Sequence, residues 1–353
     1  MNRRSFLKSS MLLGGGILLP AGVLSLVGRT GTASTPDLAG FDGLVMGTGY
    51  SVRLGGSVKD GLEQEVLSVL RDVDTHMSTW KSDSELSRLN KSVDGDWQSM
   101  TPATTRVIAH AMSTSESTNG AFDATVGPLV DLWGFGAGSP AASASGARGH
   151  RPGTQSISQT MARIGHDYID VDLEANAVRK RKADIELDLS GIAKGHAVDR
   201  VAAVLDANGV ESYLVEVGGE LAAKGRKPDG TAWKVAIEKP EAGRRDVFRV
   251  IDLENRAIAT SGDYRNFFDD GGQRYSHAID PRTGQPVNNG LASVSVVAES
   301  TMAADALSTS LMIMGADKAM AFAEQHGVAT QMILKSGDAL AERHSSAFAA
   351  LYG

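Results

Sequence analysis

Residues 185–220 read IELDLSGIAKGHAVDRVAAVLDANGVESYLVEVGGE, and the fold class turns on whether this pattern recurs along the chain. The alternation of Ile185, Leu187 and Leu189 predicts a strand over 185–189. Apolar residues at Val198, Val201, Ala202 and Leu205 fall at helical spacing and predict a helix over 191–208. Gly209 stands where a helix C-cap glycine belongs. A second strand, 213–217, then runs into Gly218-Gly219. Taken alone this is strand, helix, strand. A repeat of it would give a parallel α/β sheet.

Outward from this stretch the pattern does not repeat. Strands are expected at 45–54, 233–237, 247–253 and 293–298. Helices are expected at 60–73, 102–118 and 302–314, the last followed by Gly315 and a further helix to His326. Runs of strands interrupted by a few helices, with no βαβ period, predict an α+β fold of mainly antiparallel sheets with flanking helices.

Composition narrows the function. The chain has 353 residues, 42% hydrophobic and 22% charged, with a formal net charge of -7. That is ordinary globular composition, and an acidic chain without a basic patch disfavours nucleic acid as a partner. There are no cysteines, which excludes thiolate nucleophiles, iron–sulfur clusters, Cys-ligated zinc, disulfides and lipid attachment at an N-terminal Cys.

The N-terminus has the order of a signal peptide over 1–33. Arg3-Arg4 is followed by Phe6-Leu7-Lys8, an apolar Gly-rich run spans 11–27, and Gly31-Thr32-Ala33 offers a small-residue cleavage site. The paired arginines look like a twin-arginine export signal, from which a periplasmic mature protein is expected. The apolar run is also near the minimum length of a membrane span. A retained signal would therefore tether the protein to the membrane. A linker is expected over 34–44 and a single domain over 45–353. Residues 136–153 are rich in Gly, Ala and Ser and read as a flexible insertion.

Six segments carry candidate chemistry. Asp305 and Thr309 are four apart on an expected helix, with Ser308 flanking the same face. A carboxylate with hydroxyls is an oxygen-only donor set suited to Mg²⁺, although an Asp near a helix start is more commonly a charge or cap. Asp188-Leu189-Ser190-Gly191-Ile192-Ala193-Lys194-Gly195 turns from strand into helix and offers backbone groups and a helix N-terminus to an anion. It fits neither the Walker loop nor the dinucleotide fingerprint. Glu216-Val217-Gly218-Gly219-Glu220 reads as close backbone approach to a ligand or as a bulge. Ala259-Thr260-Ser261-Gly262-Asp263-Tyr264-Arg265 is a polar turn. In Ser276-His277-Ala278-Ile279-Asp280-Pro281, His277 has the residue type of an acid or base near neutral pH, or is simply structural. The aromatics after Gly120-Ala121-Phe122-Asp123 stack on a flat ring or pack the core.

Read in this order, together with Met46-Gly47-Thr48, Met77-Ser78-Thr79-Trp80 and Asn90, these segments resemble the ApbE family over nearly all of the mature chain. The resemblance implies a Mg²⁺-dependent FAD:protein FMN transferase with FAD as substrate, bound between two subdomains. It implies release of AMP and attachment of FMN to a Ser or Thr hydroxyl of an acceptor protein. That acceptor would carry a Ser/Thr-Gly-Ala-Ser/Thr-like sequence and belong to a membrane electron-transfer complex. Carried over residue by residue, Mg²⁺ ligands fall to Asp305, Thr309 and the carbonyl of Ala193, with Ser308 as a further one. FAD contacts fall to Met46, Trp80, Ala121, Phe122, Asp123, Ser190, His196 and Ile279. His277 becomes the general base. The competing readings are an FAD pyrophosphatase with the same metal site, a periplasmic FAD-binding protein without turnover, and a purely structural exported protein.

Overall fold

The computed structural model describes residues 38–137, 150–337 and 339–353. The expected signal segment, residues 34–37 of the expected linker, and positions 138–149 of the insertion lie outside the described residues.

An eight-stranded sheet forms the centre. Its strands are β1 (Ala39–Val45), β2 (Thr48–Leu54), β3 (Tyr213–Val217), β4 (Glu220–Lys224), β5 (Arg256–Gly262), β6 (Leu291–Ala298), β7 (Ala329–Ser336) and β8 (Ala339–His344). They lie side by side in chain order, and every neighbouring pair is antiparallel. The single strand–helix–strand stretch does not build a parallel unit, so the expected α+β class holds. What varies is the length of the connections. The β2–β3 connection carries the helices Leu62–Met77, Glu85–Lys91, Pro102–Ser117 and Ala193–Ala207. Between β4 and β5 lies the ribbon Trp233–Glu238/Val247–Leu253. Two small hairpins lie between β5 and β6, and the helices Thr301–Met314 and Ala316–His326 separate β6 from β7.

Both faces of the sheet are covered, which is why strands such as LASVSVVA read as continuous apolar runs although they are antiparallel. One face packs helices: Val52, Leu54, Val215 and Val217 meet the Ala193–Ala207 helix and its neighbours, while Val294 and Val296 meet the Thr301–Met314 helix. On the other face, Leu214, Leu221, Ile258 and Val297 pack beneath Trp233 and Ile251 of the ribbon and Phe348 of the C-terminal helix. A separate aromatic cluster of Leu129, Trp133, Ile157, Phe268, Tyr275 and Ile279 builds a smaller lobe. There Trp133 stacks on Tyr275 with ring centroids 5.5 Å apart and donates its indole N–H to the Gly284 carbonyl. Of the aromatics in the 120–136 segment, Trp133 therefore packs a core.

Three local expectations are corrected. Residues 39–44 are not linker but most of strand β1, hydrogen-bonded along its length to β2. The expected strand over 45–54 is half of that hairpin: Met46 and Gly47, both with positive φ (52° and 70°), form the two-residue turn. Residues 185–189 are extended but belong to no sheet. Their alternate side chains are buried, while side chains take the place of a neighbouring strand. Asn90 donates to the Leu187 carbonyl and accepts from the Leu187 N–H, both at 2.8 Å. The Lys180 ammonium donates to the Ile185 carbonyl. No helix among the described residues is long and apolar enough to cross a membrane.

Candidate active site

A cleft of about 460 Å³ opens where the β3–β4 turn, the end of β5 and the Thr301–Met314 helix meet, within the size range of small-molecule sites. On that helix Asp305, Thr309, Met312 and Ile313 all face the cleft, the spacing of one helical face. The helix begins at Ser300, whose hydroxyl accepts from the Ala303 N–H. A second capping group comes from far away in sequence. The Asp199 carboxylate accepts from the Ser300 hydroxyl at 2.7 Å and from the N–H groups of Thr301 and Met302 at 2.8 and 3.0 Å. Three charge-assisted bonds thus fix this helix to the Ala193–Ala207 helix.

The two helices touch because residue 195 is glycine: a Cβ there would stand 2.4 Å from the Thr301 carbonyl oxygen. The close approach lets the Gly195 N–H donate to Asp305 Oδ2 at 3.0 Å. The 188–195 turn and the Asp305 helix therefore meet, as the sequence reading required. Below Asp305, the Ser308 hydroxyl donates to the Asp305 carbonyl at 3.0 Å and lies 2.9 Å from the Ser261 hydroxyl. Ser261 also lies 3.2 Å from the Thr309 hydroxyl. Ser308 is fully buried and does not line the cleft, whereas Thr309 and Ser261 do.

The floor is ionic. Glu220 and Asp305 are 4% and 3% exposed, and burial raises both carboxyls above the ordinary range, with the nearby Lys194 ammonium opposing the shift. Lys194 Nζ stands 3.3 Å from Glu220 Oε1 and 3.9 Å from Asp305 Oδ2, and donates to the Ser190 carbonyl at 3.2 Å. Burial lowers its pKa, but Asp305 and then Glu220 outweigh that and hold it above the usual lysine value. Glu216 is pushed up to about 7 by burial, against the pull of the Gly219 N–H that it accepts at 2.7 Å. That bond closes the two-residue turn Gly218-Gly219. Gly218 has φ 65°, and a Cβ there would meet the Lys194 side chain at 3.0 Å, so glycine is required for both conformation and space.

His277 lies at the mouth, solvent-exposed yet within the concavity. Surrounding protein lowers its pKa below the ordinary imidazole value, with the Asn266 hydrogen bond opposing the shift. Its Nδ1 lies 3.1 Å from the Asn266 carbonyl oxygen. A carbonyl only accepts, so Nδ1 carries the proton and Nε2 is the basic nitrogen.

The other sequence candidates divide. Phe122, Asp123, Ser190 and Ile279 line the same cleft as His277, Asp305 and Thr309. Trp80 lines an adjoining groove that shares Asp188, Ser190, Asn266 and His277 with the cleft. Met46, Ala121, Ala193 and His196 do not line it. His196 is buried in the helical layer, its Nε2 has no hydrogen-bond partner, and burial lowers its pKa to about 4. Asp123 is saturated by protein: Oδ1 accepts from the N–H and hydroxyl of Thr125, and Oδ2 from the His166 N–H. It also raises the His166 pKa. Sequence reasoning overlooked Lys194, Ser261 and Glu216 as individual cleft residues. Each stood inside a quoted motif, but only the tertiary structure shows which motif residues face inward.

A cation at Asp305 would find few carboxylates. No group of three or more His, Cys, Asp or Glu side chains placed to hold a metal occurs among the described residues. The oxygen donors of the Asp305 carboxylate and the Thr309 and Ser261 hydroxyls nevertheless fit Mg²⁺, which commonly takes one or two carboxylates and completes its shell with water and substrate phosphates.

An antiparallel α+β core with a glycine-turned, acid-floored cleft beside a histidine defines a ligand-binding protein equipped for acid–base chemistry. The ApbE family model matches residues 46–333, and the chain belongs to that family. A Vibrio cholerae protein named FAD:protein FMN transferase is 40% identical over 328 residues, covering 92% of this chain and 96% of its own. An Escherichia coli protein of the same name is 35% identical over 308 residues, 84% of each chain. The apo crystal structure of the Pseudomonas stutzeri flavinyl transferase ApbE superposes with a TM-score of 0.80 at 39% identity, covering 90% of this chain and 97% of that one.

Proposed function

We propose that this chain is an FAD:protein FMN transferase that uses Mg²⁺ and a Ser or Thr hydroxyl of an acceptor protein. The family membership and the names of its relatives support flavin transfer as the activity. The observation that carries the site is the bond from the Gly195 N–H to Asp305 Oδ2 at 3.0 Å. It joins two segments 110 positions apart beside the hydroxyls of Ser261 and Thr309.

In this reading the acceptor hydroxyl oxygen attacks the phosphorus of the FMN half of FAD. The new O–P bond forms as the bridging O–P bond to the AMP half breaks. His277 Nε2 takes the hydroxyl proton, with the Asn266 carbonyl holding the ring in the tautomer that leaves Nε2 free. AMP departs with the bridging oxygen. Mg²⁺ held by Asp305, Thr309 and the Ala193 carbonyl would supply charge neutralisation at the diphosphate. Phe122, Ser190 and Ile279 lie where they can contact FAD in the cleft, and Trp80 offers an exposed ring in the adjoining groove. The paired Arg3-Arg4 and the apolar run after them support a periplasmic site of action. There an acceptor with a Ser/Thr-Gly-Ala-Ser/Thr-like segment, in a membrane electron-transfer complex, would be modified.

The test mixes the protein, FAD, Mg²⁺ and an acceptor domain. Intact acceptor mass rises by one FMN unit and AMP appears in equal amount. In Asp305→Ala both products are lost, while FAD binding followed by flavin fluorescence largely survives. Free FMN in place of labelled acceptor would mark hydrolysis, and full activity of Asp305→Ala would remove the metal assignment.

A further inference from the structure

Among the described residues, Lys194 is the ammonium that the cleft holds between two buried carboxylates, and the reaction as written gives it no task. Its Nζ is 3.3 Å from Glu220 and 3.9 Å from Asp305. Glu220 keeps its second oxygen, Oε2, buried without any hydrogen-bond partner. The stem runs past Gly218, where a Cβ would collide with it, so the side chain has a path along the floor that the glycine turn keeps open. All of these residues except Gly195, which anchors Asp305 from behind, line the same cleft.

We propose that Lys194 is a built-in counter-ion of Asp305, which a divalent cation displaces toward Glu220 and the cleft, where the freed ammonium binds a phosphoryl oxygen of the substrate. This inference rests on the metal reading of Asp305 given above. The physical reason is competition. Two cations cannot both lie within about 4 Å of one carboxylate at low dielectric without strong mutual repulsion. The ammonium is on a flexible stem and is the one able to move. Glu220 retains it near the floor after displacement. The same electrostatics makes the protein's affinity for a dinucleotide diphosphate conditional on the cation: without it, Lys194 is engaged by Asp305 and Glu220; with it, Lys194 is available.

The experiment uses Mn²⁺ as the probe, titrated calorimetrically against the whole protein without flavin, and then FAD titrated with and without Mg²⁺ by flavin fluorescence read at mixing. Lys194→Met is expected to bind Mn²⁺ several-fold more tightly than the natural protein. Glu220→Gln, which leaves the ammonium to Asp305 alone, is expected to bind it several-fold more weakly. Lys194→Met should lose about tenfold in FAD affinity when Mg²⁺ is present and little when it is absent. Thermal melting of both variants establishes that they are folded, and Glu220→Gln carries the test if Lys194→Met is not. Mn²⁺ binding by the natural protein but no tighter binding by Lys194→Met overturns the displacement alone. An FAD loss that is equal with and without Mg²⁺ does the same. Failure of the natural protein to bind Mn²⁺ overturns both the displacement and the metal reading beneath it.

Discussion

In the proposed reaction three side chains carry the chemistry, and each is fixed by a neighbour. Asp305 is aimed by the Gly195 N–H, Thr309 by the Ser261 hydroxyl, and His277 by the Asn266 carbonyl. For His277 the consequence is a pH dependence. Its pKa lies below the ordinary imidazole value, and only the neutral ring accepts a proton. Transfer should therefore fall off on the acid side, at a pH below that of a free imidazole, and be level above it. His277→Asn should lower kcat by roughly 10²–10⁴ and abolish that acid limb. A pH–rate profile of AMP release checks it, and an acid limb unchanged in the variant would transfer the role to another group. At this scale the sequence was informative about residue type and silent about direction. Asp305, Thr309 and His277 stood out by chemistry and spacing. His196 stood in the same motif as Lys194, yet one faces the helical layer and the other the cleft.

Among the elements, the Thr301–Met314 helix is the one whose placement matters most, and its N-terminus is held from another helix. Asp199→Ala removes three bonds to Ser300, Thr301 and Met302. Loss of a cap of this kind costs about 1–2 kcal/mol. The variant should melt several degrees lower and show a reduced kcat, because Asp305 sits one turn further along. Denaturant unfolding with a parallel activity assay reads both. An unchanged stability would mean that the Ser300 hydroxyl caps the helix unaided. Element existence was largely legible in the sequence, since 3.6-residue periodicity marks the amphipathic helices over 62–77 and 193–207 and apolar runs mark the buried strands. Two failures have different causes: the run over 45–54 is fully paired but broken by a turn, whereas 185–189 is extended chain without the partner that strand status needs. At the first, a turn with Met46 at φ 52° splits the run. At the second, the Asn90 side chain supplies bonds that a strand would have made.

On the scale of the whole molecule, the site lies where distant parts of the sheet connections converge, so its integrity depends on global stability. His196 gives that stability a pH signature. Its folded pKa of about 4 lies below the ordinary value of 6.5. Between those values the unfolded chain binds a proton that the folded one excludes. Stability should thus fall as pH drops from about 6.5 toward 4, by up to about 3 kcal/mol from this group. Glu216, raised to about 7 by burial, acts in the opposite sense: protonated when folded and ionised when unfolded, it favours the folded state more as pH falls across 4.5–7. His196→Gln should therefore become more stable relative to the natural protein as the solution is acidified through this window. Urea unfolding of both proteins at a series of pH values measures the difference, and parallel stability curves would show that His196 does not titrate on unfolding.

The sequence by itself determined the class of fold, the order of its elements and the identity of the chemically able residues, because hydrophobic period, glycine placement and side-chain type are local properties. It also carried the ordered motifs of the family. The tertiary structure alone decided that the eight strands of the central sheet lie side by side in chain order, that Gly195 brings Asp305 against the 188–195 turn, and that Lys194, Glu216 and Ser261 face the cleft while His196 and Ser308 do not. Those outcomes depend on which surfaces pack together, and no one-dimensional pattern records the direction in which a side chain points once two distant segments meet.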